Sequence, residues 1–222
     1  MRRRKLSNIV VVGRLHSAEM DLEAAVVEDQ RRHHGVHTLI LYGSHARGDA
    51  TAESDIDVAG FADVGETLRD ARLWNGVFLD AFVYPSALAE ATEVDMLKLR
   101  GGRVLLDERR LAMPLLERLE ALDRQGPPKL PESELQMRRV WARKMLARIR
   151  RGDVEAWYRH HWLLYQLLED YFALRGTWYR GPKLALQALR RDAPTTFTAF
   201  ERALAPQAPL EALEALVQRV VG

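Results

Sequence analysis

Apolar and polar positions change rhythm once along the chain. Before residue 123, short apolar runs bounded by glycine, proline and polar clusters alternate with helical periods; after it, only helical periods occur. An amphipathic stretch from Ser7 to Gln30 predicts a first helix. The run His37-Thr38-Leu39-Ile40-Leu41-Tyr42 predicts a strand, Asp55 to Phe61 a second, and Gly76 to Val83 a third that ends at Tyr84-Pro85. A helix is expected from Ser86, its N-cap, to Leu99, where Gly101-Gly102 stops it. Arg103 to Asp107 reads as a short fourth strand and Arg110 to Leu122 as a closing helix.

The break itself is Gln125-Gly126-Pro127-Pro128-Lys129-Leu130-Pro131, where three prolines in five residues cannot continue a helix. Beyond it, one helix is expected from the Pro131-Glu132-Ser133 start to Arg151. A second runs from Asp153 to about Leu174, with Trp157, His160, Leu164, Leu167 and Tyr171 at steps of three and four. Further helices fit Leu184 to Arg190, Thr195 to Leu204 and Leu210 to Val221. The expected fold is α+β: a small mixed-sheet domain over 1–122, a linker over 123–131 and an all-α bundle over 132–222.

Composition narrows the function classes. At 222 residues the chain can bury a workable core, and its 47% hydrophobic and 29% charged residues are ordinary for a globular protein. Net charge is only +2, so the sequence argues against a nucleic-acid footprint despite its many arginines. With no cysteine, a disulfide framework, a thiolate metal site and a cysteine nucleophile are all excluded. No apolar run approaches a membrane span or a signal-peptide core, and a cytoplasmic location is the expectation.

One stretch carries chemistry: Tyr42-Gly43-Ser44-His45-Ala46-Arg47-Gly48-Asp49, followed by Ser54-Asp55-Ile56-Asp57. Gly43 and Ser44 stand where a buried strand gives way to a turn. There a glycine allows close approach of a ligand, and N–H groups with the serine hydroxyl can meet phosphate oxygens. Asp55 and Asp57, two apart on a strand, project from one face while Ile56 and Val58 take the other. Two neighbouring carboxylates repel and call for a cation, and hard oxygen ligands suit Mg2+. Asp80 lies in the third apolar run, where an unpaired carboxylate is costly. Beside the Asp55 strand it completes a three-acid site for one or two metals, able to clamp the oxygens of a phosphoryl displacement.

Gly43-Ser44, ten intervening residues and Asp55-Ile56-Asp57 resemble the signature of the DNA polymerase beta-like nucleotidyltransferase superfamily, and the wording is similar to minimal and aminoglycoside nucleotidyltransferases. The resemblance implies a mixed-sheet catalytic domain that transfers a nucleoside monophosphate, AMP from ATP in the first instance, to an acceptor hydroxyl. It implies that Asp55, Asp57 and Asp80 are catalytic metal ligands, with Asp80 also the first choice of general base. Gly43 and Ser44 are implied contacts to the triphosphate. Trp178-Tyr179-Arg180-Gly181-Pro182-Lys183 resembles a segment of the C-terminal helical domain of antibiotic nucleotidyltransferases, which assigns Lys183 to the triphosphate.

Glu169 is a second candidate base. The aromatic residues of the helical half, densest at Trp157-Tyr158-Arg159-His160-His161-Trp162, are expected mainly to fill its core. The expected acceptor is a small hydroxylated molecule, aminoglycoside-like among others, which would make antibiotic resistance one role for the enzyme. Two alternatives stay open: adenylylation of a protein, as minimal nucleotidyltransferase antitoxins do, and an inactive nucleotide-binding interaction protein. The expectations include no membrane and no nucleic-acid partner, and they leave room for a homodimer.

Overall fold

The run from Thr38 to Tyr42 (β1) is buried at every position, which a strand achieves only in the interior of a sheet covered on both faces. It lies there: the five-stranded sheet has the order β3-β4-β2-β1-β5, with β2 Ile56–Ala62, β3 Leu68–Trp74, β4 Val77–Pro85 and β5 Arg103–Asp107. β1 pairs antiparallel with β2 and β5, β3 pairs antiparallel with β4, and β2 pairs parallel with β4. The computed structural model describes residues 22–91 and 94–222. Of the helix expected from Ser7 to Gln30, the part before residue 22 lies outside the described residues; the remainder is α1, residues 22–34.

The mixed α+β architecture is the one expected, and it holds one strand that the hydrophobic pattern missed. β3, Leu-Arg-Asp-Ala-Arg-Leu-Trp, alternates in burial but carries three charges because it forms the sheet edge. Its hairpin with β4 turns at Asn75 (φ 50°) and Gly76 (φ 83°). An Asn-Gly pair with both residues in the left-handed region matches the right-handed twist of a two-residue hairpin. That dipeptide was the available signal.

The two sheet faces are covered differently. Ile56, Val58, Leu79, Ala81 and Val83 pack with Val26 of α1. Ile40, Ala59, Phe61 and Tyr84 face Met96 and Leu99, together with Ala112, Leu115 and Leu119 of α3 (Ala112–Gln125). Asp107 starts α3 by accepting from the Leu111 and Ala112 amides at 2.8 and 3.2 Å.

The helix expected from Ser86 to Leu99 is not continuous. It is two short 3-10 turns, Ser86–Ala89 and Val94–Leu99, with residues 92–93 outside the described set. Ser86 does not cap either of them. Its hydroxyl donates to the Ala62 carbonyl at 2.9 Å and lies 2.8 Å from His37 Nε2, tying the end of β4 to β2.

The chain divides into two compact units, Met1–Arg124 and Gln125–Gly222. The second is all helical: α4 Glu132–Ile149, α5 Val154–Ala173, α6 Gly181–Asp192, α7 Pro194–Leu204 and α8 Leu210–Val221. Asp153 caps α5 by accepting from the Ala156 amide at 2.8 Å. The core of this unit joins Ala142 and Met145 of α4 and Leu163, Leu164 and Leu167 of α5 to Leu189, Phe200, Leu213 and Leu216. Among the described residues no helix is long and apolar enough to cross a membrane.

Candidate active site

A row of side chains crosses the sheet on the face shared with α3. Tyr42 of β1 is the register partner of Asp57 in β2, Asp57 that of Asp80 in β4, and Asp80 that of Ala71 in β3. Register partners project from the same face, so the Asp57 and Asp80 carboxylates stand side by side on neighbouring strands. The sequence spacing alone could not show this, because β3 separates β2 from β4 along the chain while the parallel pairing makes them adjacent.

Asp57 is the strained member of the pair. Burial, and after it the charges of Asp80 and Asp55, push its carboxyl up to about 6. The turn after β1 closes on it. Gly43 has φ 70°, and a Cβ built there would run into Asp57 Oδ2 and lie 3.0 Å from its Cγ. Glycine is demanded twice over, by backbone conformation and by contact with the carboxylate. From this point the chain enters α2, the short helix Gly43–Arg47, which puts half-buried Ser44 one residue beyond the contact.

Asp55 occupies a different environment from the one expected. The Thr51–Ser54 turn, held by the Ser54 amide on the Thr51 carbonyl at 3.0 Å, delivers the chain into β2 one residue late. Asp55 is therefore exposed and precedes the strand, although its charge acts on Asp57. Among the described residues no three His, Asp or Glu side chains are drawn together as a ready-made metal cluster. The donor chemistry nevertheless fits a hard divalent cation: two adjacent carboxylates supply oxygen ligands, and a positive charge between them would relieve the repulsion that raises Asp57.

Two basic residues that sequence reasoning missed attend this face. Arg69 of β3 donates from Nε and Nη2 to the two oxygens of Asp80, both at 2.9 Å, and its guanidinium lies 5.1 Å from the Phe82 ring centre. It went unseen because its strand did. Lys98, in the second 3-10 turn, places Nζ 3.4 Å from the Phe82 ring centre, with the Tyr42 and Tyr84 rings at 5.6 and 5.8 Å. Burial lowers its pKa, opposed chiefly by Asp80. No spacing signal distinguished Lys98 from a solvated helix lysine. Beside the acids, Leu73 and Phe78 are register partners across the β3-β4 hairpin and stay 65% and 62% exposed, an uncovered apolar step on the same face.

His45 does not join this group. It lines a cavity of about 20 Å³ with Leu22, Glu23, Val26, Leu41, Ile56 and Arg103, next to α1, and its Nε2 has no hydrogen-bond partner among the described residues. Lys183 and Glu169 belong to the second unit, Lys183 exposed in the first turn of α6 and Glu169 on α5.

Three comparisons with known proteins bear on the chain as a whole. No curated protein matches the chain. A solved structure of a nucleotidyltransferase-like protein from Exiguobacterium sibiricum 255-15 is similar at 15% identity, over 88% of this chain and 73% of that one, with a TM-score of 0.40. That likeness is too loose to transfer any detail. A family model described as a nucleotidyltransferase domain matches residues 24–95, the span that holds Gly43, Ser44 and all three aspartates. The chain therefore carries a nucleotidyltransferase domain over residues 24–95, consistent with the DNA polymerase beta-like superfamily.

Proposed function

We propose that the protein transfers a nucleoside monophosphate, AMP from ATP, to a hydroxyl of a small-molecule acceptor and releases pyrophosphate. The observation that carries this reading is the Asp57–Asp80 pair on adjacent parallel strands with the Gly43 turn pressed against it. In the reaction the acceptor oxygen forms a bond to the α-phosphorus, the bond from that phosphorus to the bridging oxygen breaks, and pyrophosphate departs with those electrons. The acceptor proton passes to a carboxylate, Asp80 first and Glu169 second. Asp80 can serve while Arg69 holds it, since each carboxylate oxygen keeps a second lone pair.

Asp57, Asp80 and Asp55 would hold Mg2+, which when bound supplies charge neutralisation for the triphosphate. The chain's own part is to position. The Gly43-Ser44 turn offers backbone N–H groups and a hydroxyl to phosphate oxygens, and Arg69 and Lys98 balance the negative charge of the face. Lys183 is assigned to the triphosphate from the resemblance of its segment.

The test is incubation of the purified chain with α-labelled ATP and magnesium against aminoglycoside and lincosamide panels, then against a cell lysate. Label on a small molecule with stoichiometric pyrophosphate supports the proposal. Label confined to a protein band replaces it with protein adenylylation. Absence of label with Mg-ATP binding retained in calorimetry returns the chain to an inactive nucleotide-binding role, and absence of both overturns the proposal and that alternative together.

A further inference from the structure

Helix α5 is apolar on two sides. One side supplies the core through Ala156, Leu163, Leu164, Leu167, Leu168 and Phe172. The other presents Val154, Trp157, Tyr158, His161, Trp162 and Tyr165, at steps of three and four, to solvent. Tyr158, Trp157 and Tyr165 are 70%, 64% and 62% exposed. The expectation that these rings fill the core is thus reversed for this stripe. An uncovered aromatic face of this extent is characteristic of a binding surface rather than of a solvated helix.

Its shape and charge limit what it can take. Tyr158, His161, Trp162 and Tyr165 line a shallow groove that is open to solvent along most of its extent. The rings meet at angles rather than lying flat: Tyr158 and Trp162 are 6.3 Å apart at 62°, and Trp141 of α4 backs Trp162 at 5.3 Å and 67°. Among the described residues no lysine or arginine lines the groove, and its one basic side chain is the His161 imidazole.

Beyond Tyr165, one helical turn further along the same stripe, stands Glu169. It belongs to a cluster in which three carboxylates, Glu134, Glu169 and Asp170, share the single guanidinium of Arg138, with Glu169 the loosest at 3.8 Å. Asp170 is 1% exposed, and its Oδ2 has no hydrogen-bond partner among the described residues; the same is true of the Tyr179 hydroxyl. Negative ring faces, a surplus of carboxylate and the absence of a lining cation converge on one ligand chemistry.

We infer that the α5 groove is a binding site for a small organic cation bearing an alkylated ammonium group, seated against Tyr158, Trp162 and Tyr165 with Glu169 as its counter-charge. The side chains of the site all belong to the helical unit, and the site stands without the nucleotide-transfer reading; with Glu169 as counter-charge, Asp80 is left as the base of that reading. Attraction between an ammonium and the π-faces distinguishes such a ligand from a neutral molecule of the same shape, and that distinction is measurable.

The experiment titrates choline, and separately its neutral carbon isostere 3,3-dimethyl-1-butanol, into the full chain at constant ionic strength. Binding is followed by calorimetry and indole fluorescence. Saturable binding of choline, about tenfold tighter than the isostere, is expected. It should vanish in Trp162→Ala, weaken in Tyr158→Ala, and persist in Asp57→Asn. Because Tyr158 is exposed, its truncation leaves the fold intact and keeps the test valid should Trp162→Ala unfold. Equal affinity for the two probes, no saturable choline binding, or indifference to Tyr158→Ala overturns the inference. So does a dimer that Tyr158→Ala converts to monomer, since a second copy would then cover the groove.

Discussion

The carboxylate face of the sheet and the aromatic face of α5 depart from the burial rule in opposite directions. On the sheet, Asp57 and Asp80 occupy positions whose neighbours along the strands, Ala59, Phe61 and Tyr84, are core. On α5, rings that would each contribute roughly 1.5–3 kcal/mol if buried stay in water. The first region places like charges next to each other in a partly desolvated setting, and Asp57 carries the cost as a raised proton affinity. The second forgoes burial without storing strain. Both sit on regular elements supported by a packed core, and that support lets a local arrangement persist against its own preference.

If the comparison is right, disturbing the sheet face should be costly for chemistry, and its own relaxation should show as stability. The largest effect is expected from Asp57→Asn, which should lower nucleotide transfer by about a thousandfold or more while leaving the fold intact; initial rates with labelled ATP read it. A variant that keeps a tenth of the activity would remove Asp57 from the centre of the mechanism. Gly43→Ala comes next. The added methyl meets the Asp57 carboxylate at a positive φ, and a loss of about 1–3 kcal/mol in denaturant unfolding should accompany at least a tenfold loss of activity. Full activity at wild-type stability would show that the turn has room to move.

A smaller response is expected from Arg69→Ala. Freeing both oxygens of Asp80 should tighten Mg2+ binding a few-fold in calorimetry on the nucleotide-free protein, because the cation no longer competes with a guanidinium. Weaker binding would instead make Arg69 a positioning residue for Asp80.

The smallest effect concerns pH. Asp57 has its carboxyl raised from 3.8 to about 6 in the folded chain, so the folded state binds that proton more readily than the unfolded state does. Its contribution to stability is thus fully present below 3.8 and disappears as pH rises through about 6. Without added cation, Asp57→Asn should melt about 2–4 °C above the wild type at pH 8, and the gap should narrow as pH falls through about 6 and close below 3.8. A gap independent of pH would argue against the raised value.

The sequence is legible where its signals are local. The buried run of β1, the glycine at the β1 exit and the start of α5 at Asp153 each follow from a few adjacent residues and their backbone preferences. It misleads where pattern and context disagree. β3 is an edge strand whose charges masked its alternation, and with it went Arg69. The Ser86–Leu99 stretch has helical composition, yet Ser86 is held by Ala62 and His37, which are distant in sequence. The α5 rings share the helical period with core residues, and period alone does not tell which side is covered.

What the amino-acid order determined by itself is therefore the inventory: a mixed-sheet half and a helical half, a glycine-serine turn, and three aspartates in candidate strands. Tertiary structure decided the adjacencies. Parallel pairing of β2 with β4 put Asp57 against Asp80, while the late entry into β2 left Asp55 in the solvent-exposed approach. The physical reason is that backbone preference acts over a few residues, whereas charge repulsion, burial and ring packing act between residues that only the folded chain brings within a few ångströms.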